Sequence, residues 1–139
     1  MASAIYLNSG SKLIALKSKF TGLPAPDECK FGNSGVIVSE LADEVRVEHI
    51  EISDSSCSYI YSDRTPVIVT DSKLSGGKKK PYISMIGSSI NMEGSTLSDS
   101  VVDNVSKGRG INCLGCTEVT IKNSNFTGLN GYLGGAIYL

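Results

Sequence analysis

Four cysteines, three carboxylate pairs and one histidine are the residues of this chain whose chemistry could exceed packing. Cys29, Cys57, Cys113 and Cys116 suit either two disulfides, with three pairings open, or four buried thiols. Cys113-Leu114-Gly115-Cys116 is a CxxC, but a zinc site wants a second CxxC or a histidine pair, and His49 is the sole histidine. A thioredoxin-type pair would open a helix, whereas this one falls between strand-like stretches. No metal and no cofactor is therefore expected; packed thiols or extracellular disulfides are.

Glycoside hydrolysis needs two carboxyl groups placed across the scissile bond. The candidates are Asp99 with Asp103, Asp43 with Glu44, and Asp27 with Glu28. All three pairs fall in loop or turn stretches, where a carboxylate is ordinarily solvated. A lyase would join Ca²⁺-binding carboxylates to a basic residue; Asp63-Arg64 and Lys107-Gly108-Arg109 are the nearest material and make no cluster. His49, beside Glu48 and Glu51, reads as a surface histidine because no second catalytic group is identifiable near it. No nucleophile elbow or phosphate-binding loop appears. The expectation is a non-enzymatic protein with no catalytic residues.

Two N-x-[ST] sequons, Asn104-Val105-Ser106 and Asn125-Phe126-Thr127, could carry glycan in a secreted eukaryotic protein. Asn104 is the better candidate, lying in a long insert, whereas Asn125 abuts an inward phenylalanine.

Thirteen basic and fourteen acidic residues leave a formal charge of -1, which offers no footprint for nucleic acid or an anionic membrane. The one basic run, Lys78-Lys79-Lys80, lies between Gly77 and Pro81 and reads as a solvated loop tip. No stretch approaches the length of a membrane span, and the first residues lack the pattern of a secretory leader, which would lie outside this chain.

The elements that must position these residues are short strands and turns. Ile, Val and Leu dominate the apolar residues, there is no Trp, and Gly, Ser and Asn are plentiful. Internal repeats organise them. Ala4-Ile5-Tyr6-Leu7 returns as Ala136-Ile137-Tyr138-Leu139, and Phe20-Thr21-Gly22-Leu23 as Phe126-Thr127-Gly128-Leu129. Aligned on the phenylalanines, the segments Leu13 to Leu23, Val45 to Ser55, Ile83 to Gly94 and Val119 to Leu129 place apolar residues at offsets of zero, two and seven. An offset of two is strand alternation; the polar stretch before offset seven predicts a bend.

A second short apolar strand precedes each segment: Ala4 to Leu7, Val36 to Val38, Val67 to Val69, Ile111 to Leu114, and finally Ala136 to Leu139. The inserts between units are Leu23 to Asn33, Asp71 to Pro81, and Ser95 to Gly110. Asn8, Asn91 and Asn123 are candidates for an amide ladder between coils. A unit of this size cannot bury its own apolar face, so it must stack on copies of itself. The predicted fold is all-β: a parallel β-helix of about four coils with long loop inserts, filling residues 1–139 as one repeat segment of a longer protein or an assembly.

Gly134-Gly135-Ala136-Ile137 and the two Phe-Thr-Gly-Leu tetrads resemble the GGA(I/L/V) and FxxN repeats of polymorphic outer-membrane-type surface proteins and related β-helix adhesins. The likeness covers residues 1 to 23 and 111 to 139, with Leu23 and Leu129 where that family has Asn. It implies a right-handed β-helix, located extracellularly or at the cell surface and serving adhesion or structure. The expected partners are other protein subunits, as a homo-oligomer or a head-to-tail polymer, and surface glycans. The alternative is a fragment of a β-helical polysaccharide lyase or glycoside hydrolase.

Overall fold

The computed structural model describes residues 3–22, 29, 33–100, 108–131, 133 and 135–139. Sixteen strands wind in order through three parallel sheets, and among the described residues there is no α-helix. The first coil is β1 (Ile5–Leu7), β2 (Lys12–Leu16) and β3 (Lys19–Thr21). The second is β4 (Gly35–Glu40), β5 (Glu44–Glu48) and β6 (Glu51–Ser53); the third is β7 (Ser58–Asp63), β8 (Val67–Thr70) and β9 (Lys73–Ser75). The fourth is β10 (Ile83–Ile86), β11 (Ser89–Glu93) and β12 (Thr96–Ser98). The fifth is β13 (Ile111–Leu114), β14 (Glu118–Lys122) and β15 (Asn125–Thr127), and β16 (Ile137–Tyr138) follows.

Sheet one is β1-β4-β7-β10-β13-β16; sheet two runs from β2 through β5, β8 and β11 to β14; sheet three runs from β3 through β6, β9 and β12 to β15. The chain is thus a parallel β-solenoid of about four turns, with four coil-to-coil steps in sheets two and three.

Register, not local propensity, builds the core. Ile5, Ile37, Ile60, Ile83, Ile111 and Ile137 form one unbroken ladder on the inner face of sheet one. Leu13, Val45, Val67, Ile90 and Val119 form the corresponding ladder in sheet two, and Phe20, Ile52, Leu74, Leu97 and Phe126 that in sheet three. Because strand side chains alternate faces, the residues between these rungs look outward in sheets two and three, whereas in β4 and β7 of sheet one they are buried as well.

The middle of the chain is phased differently from the sequence alignment. Ile83 to Met85 lies in sheet one above Ile60, and Val67 to Val69 lies in sheet two above Val45. The cause is a degeneracy in the spacing. Seven residues separate Val45 from Ile52 across the second corner, and seven also separate Ile83 from Ile90 across the first. An apolar pattern at zero, two and seven therefore fits either corner. The stretches read as inserts accordingly contain strands: β9 lies within Asp71 to Pro81 and β12 within Ser95 to Gly110. Most of the Leu23 to Asn33 insert, and Val101, Val102 and Val105, lie outside the described residues.

Each corner is made the same way in every coil. A residue with left-handed backbone stands in the first corner at Gly10, Leu41, Arg64, Gly87 and Gly115, in the second at Lys17, His49, Asp71, Gly94 and Asn123, and in the third at Gly22, Asp54, Gly76, Asp99 and Gly128. Such a residue turns the chain while its N–H stays in the ladder: His49 donates to Thr70 O, Asp71 to Glu93 O, and Arg64 to Ile86 O. Gly, Asn and Asp tolerate this conformation best, which explains most of the occupants. Gly94 is also confined by its neighbour, since a Cβ there would fall 2.2 Å from Asp71 Oδ1.

Hydroxyl groups lock the corners. At the second, Ser72 Oγ accepts the Ile50 N–H, Ser95 Oγ accepts that of Ser72, and Ser124 Oγ accepts that of Ser95, at 3.2, 3.1 and 3.2 Å. Each serine also donates to the carbonyl two residues behind it, so both sides of the hydroxyl are used. At the first corner Thr65 accepts the Ala42 N–H and Ser88 accepts that of Thr65. These stacks replace the expected amide ladder: Asn91 lies on β11 between Ile68 and Thr120, Asn123 is a corner residue, and Asn8 accepts from Ser11.

Between sheets three and one, Tyr59 and Tyr82 stack with ring centroids 4.7 Å apart. Tyr59 Oη donates to Ser75 O, and Tyr82 Oη donates to Ser98 O at 2.6 Å while accepting the Gly77 N–H at 3.0 Å. Burial pushes both phenols above their ordinary range, so they remain neutral donors.

Candidate functional site

Among the described carboxylates, Asp99 stands at a third corner and Asp43 and Glu44 at the entry to β5. Asp99 is a third-corner residue in the left-handed region, so its place follows from backbone geometry. Its companion Asp103 lies outside the described residues, as do Asp27, Glu28 and Lys107. Asp43 donates its N–H to Ser11 O in the turn before β5. Glu44, on the outer face of sheet two, accepts from Lys12 Nζ and Arg46 Nε, each at 3.1 Å. Lys12 first and Arg46 second hold its carboxyl below the ordinary range, so it is an ionised group with two cations attached.

Asp63 and Arg64 form an adjacent two-point pair, Nε to Oδ1 at 2.9 Å and Nη2 to Oδ2 at 3.2 Å. Arg109 has no exposed surface and donates from Nη2 to Lys78 O, which ties it to the turn after β9. His49 is a half-exposed second-corner residue with Nε2 3.6 Å from Glu48 Oε1. Lys78 and Lys79 are exposed, consistent with a loop tip. Among the described residues no three His, Cys, Asp or Glu side chains group to hold a metal ion.

The pairing of the cysteines, left open by sequence, is Cys29 with Cys57 and Cys113 with Cys116, at Cα separations of 5.1 and 5.8 Å. Cys113 faces the core from β13, and Cys116 lies just past the left-handed Gly115, so this bridge spans the first corner of the fifth coil.

Of the sequons, Asn104 lies outside the described residues. Asn125 is exposed on the outer face of sheet three, directly because its neighbour Phe126 points inward. The adjacency that seemed to disfavour this sequon is what carries its side chain into solvent.

Two surface features bear on function; the sequence reading anticipated the second, as head-to-tail pairing, and missed the first. The first is a shallow groove of about 210 Å³ on the outer face of sheet two, with Ile68 in its lining and Pro66, Ser89, Asn91, Glu118 and Thr120 around it. Its residues come from three different coils, and only register brings them together.

The second feature is the pair of end faces. Ile5, Leu13 and Phe20 in the first coil, and Val119, Ile121, Phe126, Leu129 and Ile137 at the other end, pack on the core while staying partly exposed. Among the described residues no helix is long and apolar enough to cross a membrane. No protein family, no curated protein and no solved structure matches this chain.

Proposed function

We propose that the protein is a non-enzymatic structural or adhesion β-helix of the extracellular space or cell surface, whose coils stack head-to-tail into a fibre. Other copies of the chain are its principal partners, and surface glycans are ligands for its outer faces. The observation that carries this reading is the stacking itself: Ile37, Ile60, Ile83 and Ile111 form a column with no exposed surface, one isoleucine per coil, held by parallel pairing. A further coil added in the same register would extend each column and pair its strand edges. That the described ionisable residues stand at corners and in outward pairs adds support, since two-carboxylate chemistry needs groups that converge.

The test combines light scattering across a wide concentration range with digestion of a panel of polysaccharides, polygalacturonan included. The expected result is mass that grows with concentration and no released product. Release of product that is lost in Asp99→Ala would overturn the reading in favour of a carbohydrate-active enzyme.

A further inference from the structure

We infer that the bridge between Cys113 and Cys116 is a reversible redox site, opened by a small thiol reductant and closed again without unfolding of the solenoid. The first support is position. Cys113 stands in the inward column of sheet one that runs through Leu7, Ser39, Ser62 and Met85. Cys116 follows the left-handed Gly115, as Ala42 follows Leu41, Thr65 follows Arg64 and Ser88 follows Gly87. The two cysteines are thus the counterparts of Ser39 with Ala42, Ser62 with Thr65, and Met85 with Ser88.

Those three coils make the same corner without a covalent bond. In the third, Ser62 Oγ donates to Thr65 O at 2.6 Å; in the second, Ser39 Oγ turns to Tyr61 O and Ala42 offers no polar side-chain atom. In the fourth, Met85 is a thioether and Ser88 Oγ donates to Ile86 O at 3.1 Å. The fifth-coil corner has backbone bonds of its own, from Gly87 N–H to Leu114 O at 2.8 Å and from Thr117 N–H to Ser88 O at 3.0 Å. Free cysteine packs as a small apolar side chain, between serine and methionine in volume, and this column already holds both. Two thiols therefore fit where the bridge fits. Loop length points the same way. The bridge joins residues 3 apart and Cys29 is joined to Cys57 across 28, and the constraint a disulfide puts on the unfolded chain grows with the loop it closes.

Access comes from the side. Leu114 is 54% exposed, and a Cβ on Gly115 would meet nothing within 4 Å. The same rim is open at other levels of the stack, at Leu41 in the second coil and Ile86 in the fourth. Cys113 faces the core and Cys116 adjoins the rim, so the reductant's thiolate attacks Cys116 Sγ. A bond forms between the reductant sulfur and Cys116, the bond to Cys113 breaks, and Cys113 leaves with the electron pair and takes up the proton that the reductant gave up. The second thiol of a dithiol then displaces Cys116, which is protonated in turn, and the reductant departs as its cyclic disulfide. A low-molecular-weight disulfide reverses both steps. Among the described residues no helix N-terminus lies behind either sulfur to stabilise a thiolate, so the pair responds to its surroundings rather than catalysing exchange.

The test treats the full chain with graded dithiothreitol, quenches with N-ethylmaleimide, reads the labelled cysteines by peptide mass spectrometry and records circular dichroism on the same samples. Cys113 and Cys116 should take label about tenfold faster than Cys29 and Cys57, or faster still, with the β-spectrum retained. Oxidised dithiothreitol should then close the bridge again. Under oxidised glutathione, Cys113→Ser should gain a mixed disulfide on Cys116 sooner than Cys116→Ser gains one on Cys113. Cys113→Ser with Cys116→Thr, which rebuilds the third-coil corner, should keep the fold. Opening of all four cysteines together, loss of the β-spectrum on reduction, failure to close again, or an unfolded double variant would each overturn the inference. So would an untreated chain that carries Cys113 and Cys116 as thiols which no disulfide oxidises.

Discussion

The second, third and fourth coils and the first and fifth coils share the same ladders, yet they live in different surroundings. In sheet three, Ile52, Leu74 and Leu97 have no exposed surface, while the larger Phe20 and Phe126 on the end rungs are partly open. The second sheet repeats the contrast: Val45, Val67 and Ile90 are buried, Leu13 and Val119 are not. Burial in a solenoid is therefore set by the coils above and below a residue rather than by its own hydrophobicity.

The strongest challenge to that comparison is one substitution made at two heights of one ladder. Ile60→Ala in the third coil should cost about 2–5 kcal/mol, and Ile5→Ala in the first less than half of that. Chemical denaturation read by circular dichroism checks it; equal losses would mean that the end rung is as enclosed as the middle one.

Next in size is a corner. Gly94→Ala sets a Cβ against Asp71 Oδ1 at φ +63°, whereas Gly22→Ala meets nothing within 4 Å at φ +67°. Backbone strain of about 1 kcal/mol is common to both, and the clash should raise the first to roughly 2–3 kcal/mol. Thermal melts of the two variants, and of Asp71→Gly with Gly94→Ala, separate the contributions: the double variant should recover the clash and keep the strain.

The smallest expected effect tests the hydroxyl stacks. Ser95→Ala removes the acceptor for the buried Ser72 N–H and should cost about 1–2 kcal/mol. Ser124→Ala, at a partly exposed corner of the fifth coil, leaves the Ser95 N–H near water and should cost less. Faster amide exchange at Ser72 than at Ser95 in the respective variants would show the same order residue by residue.

The fold class was readable from composition and repeats because a short unit with one apolar face has few ways to bury it. Leu13, Val45 and Val119 were placed correctly on one ladder, as were Phe20, Ile52 and Phe126 on another. Ile83 and Ile90 were not, because equal seven-residue steps across two different corners look alike in one dimension. A better signal was available: Thr65 and Ser88, Ser72 and Ser95, Ile60 and Ile83, and Leu74 and Leu97 all recur at 23 residues. The phenylalanine tetrads, lying at the two ends, drew the alignment away from it.

The candidate surfaces were less visible. No window of sequence joins Pro66, Asn91 and Thr120, which share a groove only because their strands stack. Asp99 was a candidate for carboxylate chemistry, and its left-handed backbone places it at a third corner.

By itself, then, the sequence determined that this chain is all strand and turn, that its apolar residues alternate, and that its units must stack. These are consequences of periodicity and of the entropy that a lone unit cannot offset. Tertiary structure decided the register, and with it which residues are neighbours at about 4.8 Å. Register turned six scattered isoleucines into one ladder and brought Pro66, Asn91 and Thr120 to one groove, because contact between coils depends on height in the stack and not on distance along the chain.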